Sequence, residues 1–81
     1  MSEAPNPESD DLSQLVTLLR HACGASVVGA VVGRARLQNE LTRQLGCSTL
    51  MAKRLMDAII GRGLIRQEVH RDGWVHWVIT V

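Results

Sequence analysis

The feature that most constrains this chain is a pair of helix patterns near its centre, separated by a short turn. Leucine recurs every four residues in the first pattern, at Leu37, Leu41 and Leu45. That spacing places the leucines on one helix face, and Gly46 can end the helix in a left-handed conformation. Ser48 then stands where a hydroxyl group caps a second helix, which Gly63 can end. The sequence therefore predicts two consecutive helices joined by a tight turn.

Two helices joined by a short turn that contains glycine form a helix-turn-helix unit. The core stripe of the second helix is predicted at Ala52, Leu55, Met56 and Ile59. Four further apolar residues widen its apolar arc, namely Leu50, Met51, Ala58 and Ile60. This surplus either packs within the domain or forms a partner surface, and in the second case a homodimer is expected. Cys47, in the turn, is expected to be an inert core residue.

Length and composition limit the remaining possibilities. Eighty-one residues form one small domain, whose core is marginal without a partner, a dimer or DNA. No run of about 18 apolar residues is present, so no membrane partner is expected. The start, "MSEAPNPESDD", lacks the basic and apolar regions of a secretory signal. Cys23 and Cys47 stand far apart, which argues against a disulfide framework or a zinc site and favours a cytoplasmic location.

The net charge of +1 hides an asymmetry between the start of the chain and its body. Residues 1–11 carry four acidic residues and no Lys or Arg. Residues 12–81 carry all nine basic residues against four acidic ones, which gives a net charge of +5. A moderately basic body favours a polyanionic partner. An ordinary solvated surface behind a solubilising acidic tail would give the same totals.

The first third of the chain is less regular than the helix pair. Residues 1–10 contain both prolines and several acidic residues, and are predicted to form a disordered acidic tail before a domain over residues 11–81. Polar side chains at 9–11 can cap a first helix that Gly24 ends. The buried stripe of this helix is predicted at Leu12, Leu15, Val16, Leu19 and Ala22. The valines and glycines of residues 26–36 fit either a strand or a helical stripe, and we favour a short strand.

The C-terminal stretch, "LIRQEVHRDGWVHWVITV", has the alternation of a β-hairpin. A three-residue loop over 71–73 pairs Val69 with Val75 and Ile65 with Ile79, whereas a two-residue loop would mix the two faces. The apolar face is completed by Trp77 and Val81. The opposite face is predicted to carry Arg66, Glu68, His70, Trp74 and His76.

The elements therefore follow the order helix, short strand, helix, turn, helix and terminal hairpin, which resembles the winged-helix family. The resemblance covers roughly residues 12–81 and is carried by "LTRQLGCSTLMAKRLMDAIIGRGLI" and the hairpin after it. Within that family, "AKRLMDAIIGRGLI" is similar to the recognition helix of the gamma domain of FtsK-type DNA translocases. The shared positions are Ala52, Arg54-Leu55, Asp57 and Arg62-Gly63, followed by Leu64 and Ile65. The resemblance implies an α+β fold, a winged helix-turn-helix of three helices with a C-terminal β-hairpin wing, without the translocase motor.

The resemblance also implies a function. In such domains the first half of the second paired helix enters the major groove, and a basic hairpin can lie along the backbone or minor groove. We therefore expect a small stand-alone protein that binds double-stranded DNA as a transcriptional regulator, with the helix over 48–62 in the major groove and the hairpin over 65–81 as the wing. The residues expected to contact DNA are Thr49, Lys53, Arg54, Arg66, His70, Arg71 and Trp74.

A second hypothesis is a winged-helix interaction module, an adaptor or inhibitor of a larger protein, with no sequence-specific DNA binding. The weak charge of the second helix favours it, because Lys53 and Arg54 stand close to the carboxylate of Asp57. In that case the two cations are only the solvated face of an amphipathic helix. Trp74 would then cover a neighbouring subunit, since tryptophan is enriched at interface anchors.

Enzymatic, cofactor and metal chemistry are not expected. No nucleophile, base and orienting acid stand at a readable spacing, and no phosphate-binding glycine loop is present. His70 and His76 share one face of the hairpin, but no third ligand accompanies them, so no metal site is predicted.

Overall fold

The computed structural model describes residues 7–80, with side chains from residue 12 onwards, and this part contains three helices and three strands. In chain order the elements are α1 (Pro7–Cys23), β1 (Ser26–Val28), α2 (Ala30–Leu45), α3 (Thr49–Gly61), β2 (Ile65–Val69) and β3 (Val75–Ile79). Three helices with a C-terminal antiparallel hairpin confirm the predicted α+β fold and its winged helix-turn-helix layout. No helix within residues 7–80 is long and apolar enough to cross a membrane.

The sheet has β3 at its centre, paired in antiparallel fashion with β1 on one side and β2 on the other. Opposite residues of the hairpin include Val69 and Val75, and Ile65 and Ile79. This register confirms the predicted three-residue loop over 71–73, in which Gly73 has a φ of 84°. The short strand predicted in the valine segment is β1, and it pairs with the edge of β3 that β2 leaves open. Val81, predicted on the apolar face, lies outside the described residues.

Helix α2 begins at Ala30, well before the leucine stripe that predicts it. Segment 26–36 is thus both strand and helix, because β1 ends at Val28 and α2 follows directly after Gly29. The buried face of α2 starts with Gly33, one turn before Leu37. A Cβ at residue 33 would lie 2.8 Å from Cδ1 of the Trp77 ring. The buried face of α2 therefore starts with Gly33, which leaves space for the Trp77 indole. A pattern of apolar side chains does not reveal a glycine in this role.

Helix α1 begins at Pro7, so residues 7–10 are helical, whereas the sequence assigned them to a disordered tail. Proline suits the first turn of a helix, because its missing N–H would have no partner there and its φ is already helical. The cap side chains predicted at 9–11, and the predicted tail over residues 1–6, lie outside the described part of the chain. Gly24 follows the helix with a φ of 90°, as expected of the residue that ends it.

The core joins one stripe from each helix to the inner face of the sheet. Its buried members are Leu12, Val16, Leu19, Val27, Leu37, Leu41, Ala52, Met56, Ile59, Ile65, Trp77 and Ile79. Fewer of the additional apolar residues predicted on α3 are free for a partner than the sequence suggests, because Ile60 packs against this core. Leu50 and Met51, at the start of α3, are 59% and 45% exposed. Ala58 is exposed as well, so the apolar surface available to a partner on α3 consists of its first turn, half-buried Leu55 and the small side chain of Ala58.

Candidate nucleic-acid interface

The turn between α2 and α3 fixes the direction in which α3 leaves the domain. Gly46 adopts a left-handed conformation with a φ of 64°, and its N–H donates to the carbonyl oxygen of Thr42 at 2.8 Å. The hydroxyl oxygen of Ser48 accepts a hydrogen bond from the Met51 N–H at 3.1 Å and so caps α3. Cys47 lies between them and packs against the core. These contacts confirm the turn and the cap predicted from the sequence.

The solvent side of α3 carries three of the residues predicted to contact DNA. Thr49, Lys53 and Arg54 are all exposed, and they occupy the first half of the helix. The Arg54 guanidinium forms no ion pair with any residue in the described part of the chain. In helix-turn-helix domains this half of the second helix meets the base edges of the major groove. The geometry thus presents one unpaired cation at the expected place.

Asp57 lies on α3, one turn after Lys53, and its carboxylate contacts two cations, one on α3 and one on α2. Its Oδ2 lies 3.5 Å from Nζ of Lys53, and its Oδ1 accepts a hydrogen bond from the guanidinium of Arg34 in α2. Arg34 also donates from Nε to Oε1 of Gln38 at 3.0 Å. The Arg34 guanidinium, more than the Lys53 ammonium, holds the pKa of Asp57 below its ordinary value. The carboxylate is therefore ionised at neutral pH and cancels one of the two positive charges beside it.

Arg34 is a candidate contact residue that the sequence reasoning missed. The leucine stripe predicts α2 only from Leu37, so Arg34 falls outside the predicted helix pair. Its side chain is 29% exposed and lies against α3 through its contact with Asp57. A signal was present in the sequence, because Arg34 and Gln38 stand four residues apart and continue the polar face of α2 towards its start.

The hairpin carries less free positive charge than its sequence suggests. Arg66 donates to Oε2 of Glu68 at 3.1 Å, so its charge is largely compensated. Arg71, in the loop, is exposed and forms no ion pair within residues 12–80. Trp74, three residues after Arg71, is 62% exposed. Because Glu68 compensates Arg66 and Asp72 is bonded to Trp74 and His76, the described part of the hairpin offers a single arginine without an ion pair, Arg71, and an exposed indole.

His76 is buried, which corrects its predicted place on the open face of the hairpin. It is only 8% exposed, because the His70 ring stacks on it with centroids 3.8 Å apart and planes inclined by 12°. On the neighbouring strand β1, Val28 is the register partner of His76. The Nε2 atom of His70 is 3.5 Å from a carboxylate oxygen of Glu68. Of the two histidines, only His70 retains partial exposure for a ligand.

Asp72 organises the loop that presents Arg71. Its Oδ1 accepts a hydrogen bond from the Trp74 N–H at 2.8 Å, and its Oδ2 lies 3.0 Å from Nε2 of His76. The Trp74 amide, followed by the His76 side chain, lowers the pKa of Asp72 from its ordinary value. An ionised Asp72 therefore ties the loop to the buried end of β3.

The predicted contact residues form two groups, which no hydrogen bond or ion pair joins within the described part of the chain. The α3 group contains Thr49, Lys53 and Arg54. The hairpin group contains Arg66, His70, Arg71 and Trp74. A ligand that contacts both groups must span α3 and the hairpin, as a duplex does when a helix enters its major groove and a wing follows its backbone.

No group of three or more His, Cys, Asp or Glu residues in the described part of the chain is arranged to hold a metal ion. Cys23 and Cys47 are free thiols, and burial raises the pKa of the Cys23 thiol.

Comparison of the chain with protein-family models, curated proteins and solved structures gives no match.

Proposed function

We propose that this protein binds double-stranded DNA as a regulator of transcription, with the first half of α3 in the major groove and the β2–β3 hairpin as a wing on the backbone. The observation that carries the proposal is the exposure of Thr49, Lys53 and Arg54 on the second helix of a capped helix-turn-helix unit. Arginine and lysine bond guanine or phosphate, and threonine bonds base edges or phosphate. The likeness of α3 to the FtsK-type gamma domain supports the same orientation.

The distribution of charge also supports DNA as the partner. Residues 12–81 have a net charge of +5 although the whole chain has only +1. Phosphate contacts can come from Arg71 in the hairpin. Arg34 of α2 can add another, once a phosphate competes with Asp57 for the Arg34 guanidinium. The two free thiols fit a reducing compartment, and we place this function in the cytoplasm.

The proposal is tested by measuring affinity for random-sequence duplex DNA at several salt concentrations. About four to six phosphate contacts give a slope of log affinity against log salt of about −4 to −5. Arg54→Ala weakens binding by roughly 1 to 3 kcal/mol and relaxes the preferred sequence at one or two base pairs. Arg71→Ala, the matched control in the hairpin, weakens all sequences alike and flattens the slope by about one unit. Absence of binding at low salt would overturn the proposal.

A second candidate function is binding of another protein through the same fold. The observation that favours it is a set of exposed apolar residues at the starts of α2 and α3, namely Val31, Val32, Leu50 and Met51. Pairing of Lys53 with Asp57 favours it too, because it weakens the phosphate contacts that α3 can make. A protein that leaves duplex DNA unbound at low salt while folded would have this function instead.

A further inference from the structure

The outer face of the hairpin, by which we mean the side opposite the core, carries three ring side chains near the tip. His70 and Trp74 continue the pairing of β2 with β3 by one step beyond Val69 and Val75, since the His70 N–H donates to the Trp74 carbonyl oxygen at 3.1 Å. Residues directly opposite each other in an antiparallel pair point to the same side of the sheet. His76 lies on this side too, because its ring stacks on the His70 ring. Two imidazoles and one indole therefore share the outer face.

Two of these three rings keep surface for a ligand. Trp74 is 62% exposed and stacks on no other ring in the described part of the chain. The His70 ring is covered on one side by His76, with centroids 3.8 Å apart, and its side chain is 38% exposed. Because the stack with His76 holds the His70 ring in one orientation, a ligand that packs on its other side has less side-chain freedom to remove.

The loop fixes the backbone of Trp74 before any ligand binds. The Trp74 N–H donates to Oδ1 of Asp72 at 2.8 Å, and the Gly73 N–H donates to the His70 carbonyl oxygen at 2.9 Å. The core does not require the exposed indole, since Trp77, which is 5% exposed, is the tryptophan that packs there. Trp74 is thus an ordered aromatic side chain whose contact surface faces water, as expected of a binding residue.

The charges around these rings fit a phosphate chain. Arg71, in the loop, is exposed and forms no ion pair within residues 12–80. The two carboxylates of the hairpin are engaged, because Asp72 is bonded within the loop and Glu68 is bonded to Arg66. Exposed aromatic rings beside a cation hold unpaired nucleobases in proteins, since a base stacks on a ring while its phosphate meets the cation.

We propose that the outer face of the hairpin binds single-stranded nucleic acid, with one unpaired base stacked on Trp74, a neighbouring base against His70 and a phosphate at Arg71. Bases within a duplex are covered by their neighbours in the stack, so this contact requires an unpaired strand. The site goes beyond the proposed binding of duplex DNA and uses none of the residues of α3. Every base has a face that can stack, so we expect little sequence preference.

The fluorescence of Trp74 tests this stacking directly, because the only other tryptophan of the chain is buried. The unchanged protein is titrated at low salt with an oligodeoxythymidine of about eight nucleotides, a length within the usual range of single-strand sites. We expect the fluorescence to be quenched as a base stacks on the indole. An abasic oligonucleotide with the same phosphates should bind roughly five- to a hundredfold more weakly and leave the fluorescence unchanged. Quenching by an oligouridine of equal length supports the proposal as well, and the tighter ligand identifies the preferred sugar.

A second test replaces the ring and keeps its apolar character. Trp74→Leu is expected to weaken binding of the oligodeoxythymidine roughly five- to a hundredfold and to abolish the quenching, whereas Trp74→Phe should keep part of the affinity. Val69→Ala is the matched control, because Val69 is 73% exposed on the hairpin and its side chain points to the opposite side of the sheet from His70. We expect this control to bind as the unchanged chain does, and all three variants to retain their circular dichroism.

Any of three results overturns the proposal. The first is fluorescence that stays unchanged at about 1 mM oligonucleotide, near the weak limit of specific binding. The second is an abasic oligonucleotide that binds as tightly as the oligodeoxythymidine, and the third is a folded Trp74→Leu variant that binds as the unchanged chain does. The first two use the unchanged chain, so they decide the matter even if a variant fails to fold. A chain that binds duplex DNA but neither oligonucleotide loses this site and keeps the proposed function, and the reverse result does the opposite.

Discussion

Asp57 sets how strongly α3 can attract a phosphate. Its carboxylate forms ion pairs with Lys53 on α3 and with Arg34 on α2. In the proposed complex, each contact with DNA that uses these cations would first have to break an ion pair, which would weaken non-specific binding to the backbone. A carboxylate can also accept a hydrogen bond from N4 of cytosine in the major groove. In the proposed complex with DNA, Asp57 would therefore favour discrimination between sequences over affinity for any duplex.

Asp57→Asn is expected to raise the affinity for random duplex DNA and to lower the ratio of specific to non-specific binding. The salt slope should steepen by about one to two units as Lys53 and Arg34 become free to contact phosphates. Affinity titrations at several salt concentrations, with preferred and random duplexes, measure both effects. Glu40→Gln is the matched control, because it removes the carboxylate that Arg43 contacts at 2.8 Å within α2. If both variants change binding equally, Asp57 has only the effect of its net charge.

At the scale of elements, the hairpin depends on one aspartate for the shape of its loop. The pKa of Asp72 is lowered in the folded protein by the Trp74 N–H and by His76. A carboxyl whose folded pKa is depressed stabilises the structure above its unfolded pKa, which is about 3.9 for aspartate. That contribution is lost as the pH falls through the folded value. The loop should thus stay ordered at neutral pH and loosen only in acid.

This behaviour can be followed at the Trp74 backbone amide by NMR between pH 6 and pH 2. We expect its chemical shift to change with a midpoint below about 3.9, where Asp72 takes up a proton. In Asp72→Asn the same amide should show no such midpoint, although the hairpin register remains. A midpoint at or above the ordinary aspartate value would contradict the hydrogen bonds that hold the loop.

Some features of the helices and strands could be predicted from the sequence, and others could not. The Gly46–Ser48 turn, the cap of α3 and the hairpin register were all predictable, because each depends on a few local residues with strong conformational preferences. The start of α2 was not, because exposed Val31 and Val32 and buried Gly33 are poor helix formers. That segment is helical because of tertiary contacts, which local propensity does not contain.

The candidate site was predictable to a similar extent. The exposure of Thr49, Lys53 and Arg54 follows from the stripe that buries the opposite side of α3. Burial of His76 and the approach of Arg34 to Asp57 depend on residues far apart in the sequence. The fold therefore determines which charged side chains have a partner of opposite charge. The sequence alone overstated the positive charge of the hairpin for this reason.

At the scale of the whole molecule, one close approach between the helices and the sheet lies at the start of α2. Nε1 of Trp77 donates to the carbonyl oxygen of Ala30 at 2.9 Å, and the Gly29 N–H donates to the Val75 carbonyl oxygen at 2.7 Å. These bonds attach the start of α2 to β3. Gly33 allows the approach, because a Cβ there would meet the Trp77 ring and the Val28 carbonyl oxygen at 2.8 and 3.0 Å.

Gly33→Ala is therefore expected to destabilise the whole domain by about 1 to 3 kcal/mol, the usual cost of an overpacked core. Gly61→Ala is the matched control, since Gly61 is helical and a Cβ there meets nothing within 4 Å. It should stabilise the domain by about 0.4 to 1 kcal/mol, because alanine loses less backbone entropy than glycine on folding. Urea unfolding followed by circular dichroism and tryptophan fluorescence measures both changes. A Gly33→Ala variant as stable as Gly61→Ala would show that α2 and β3 are not held together through this contact, and that the wing is joined to the helices in another way.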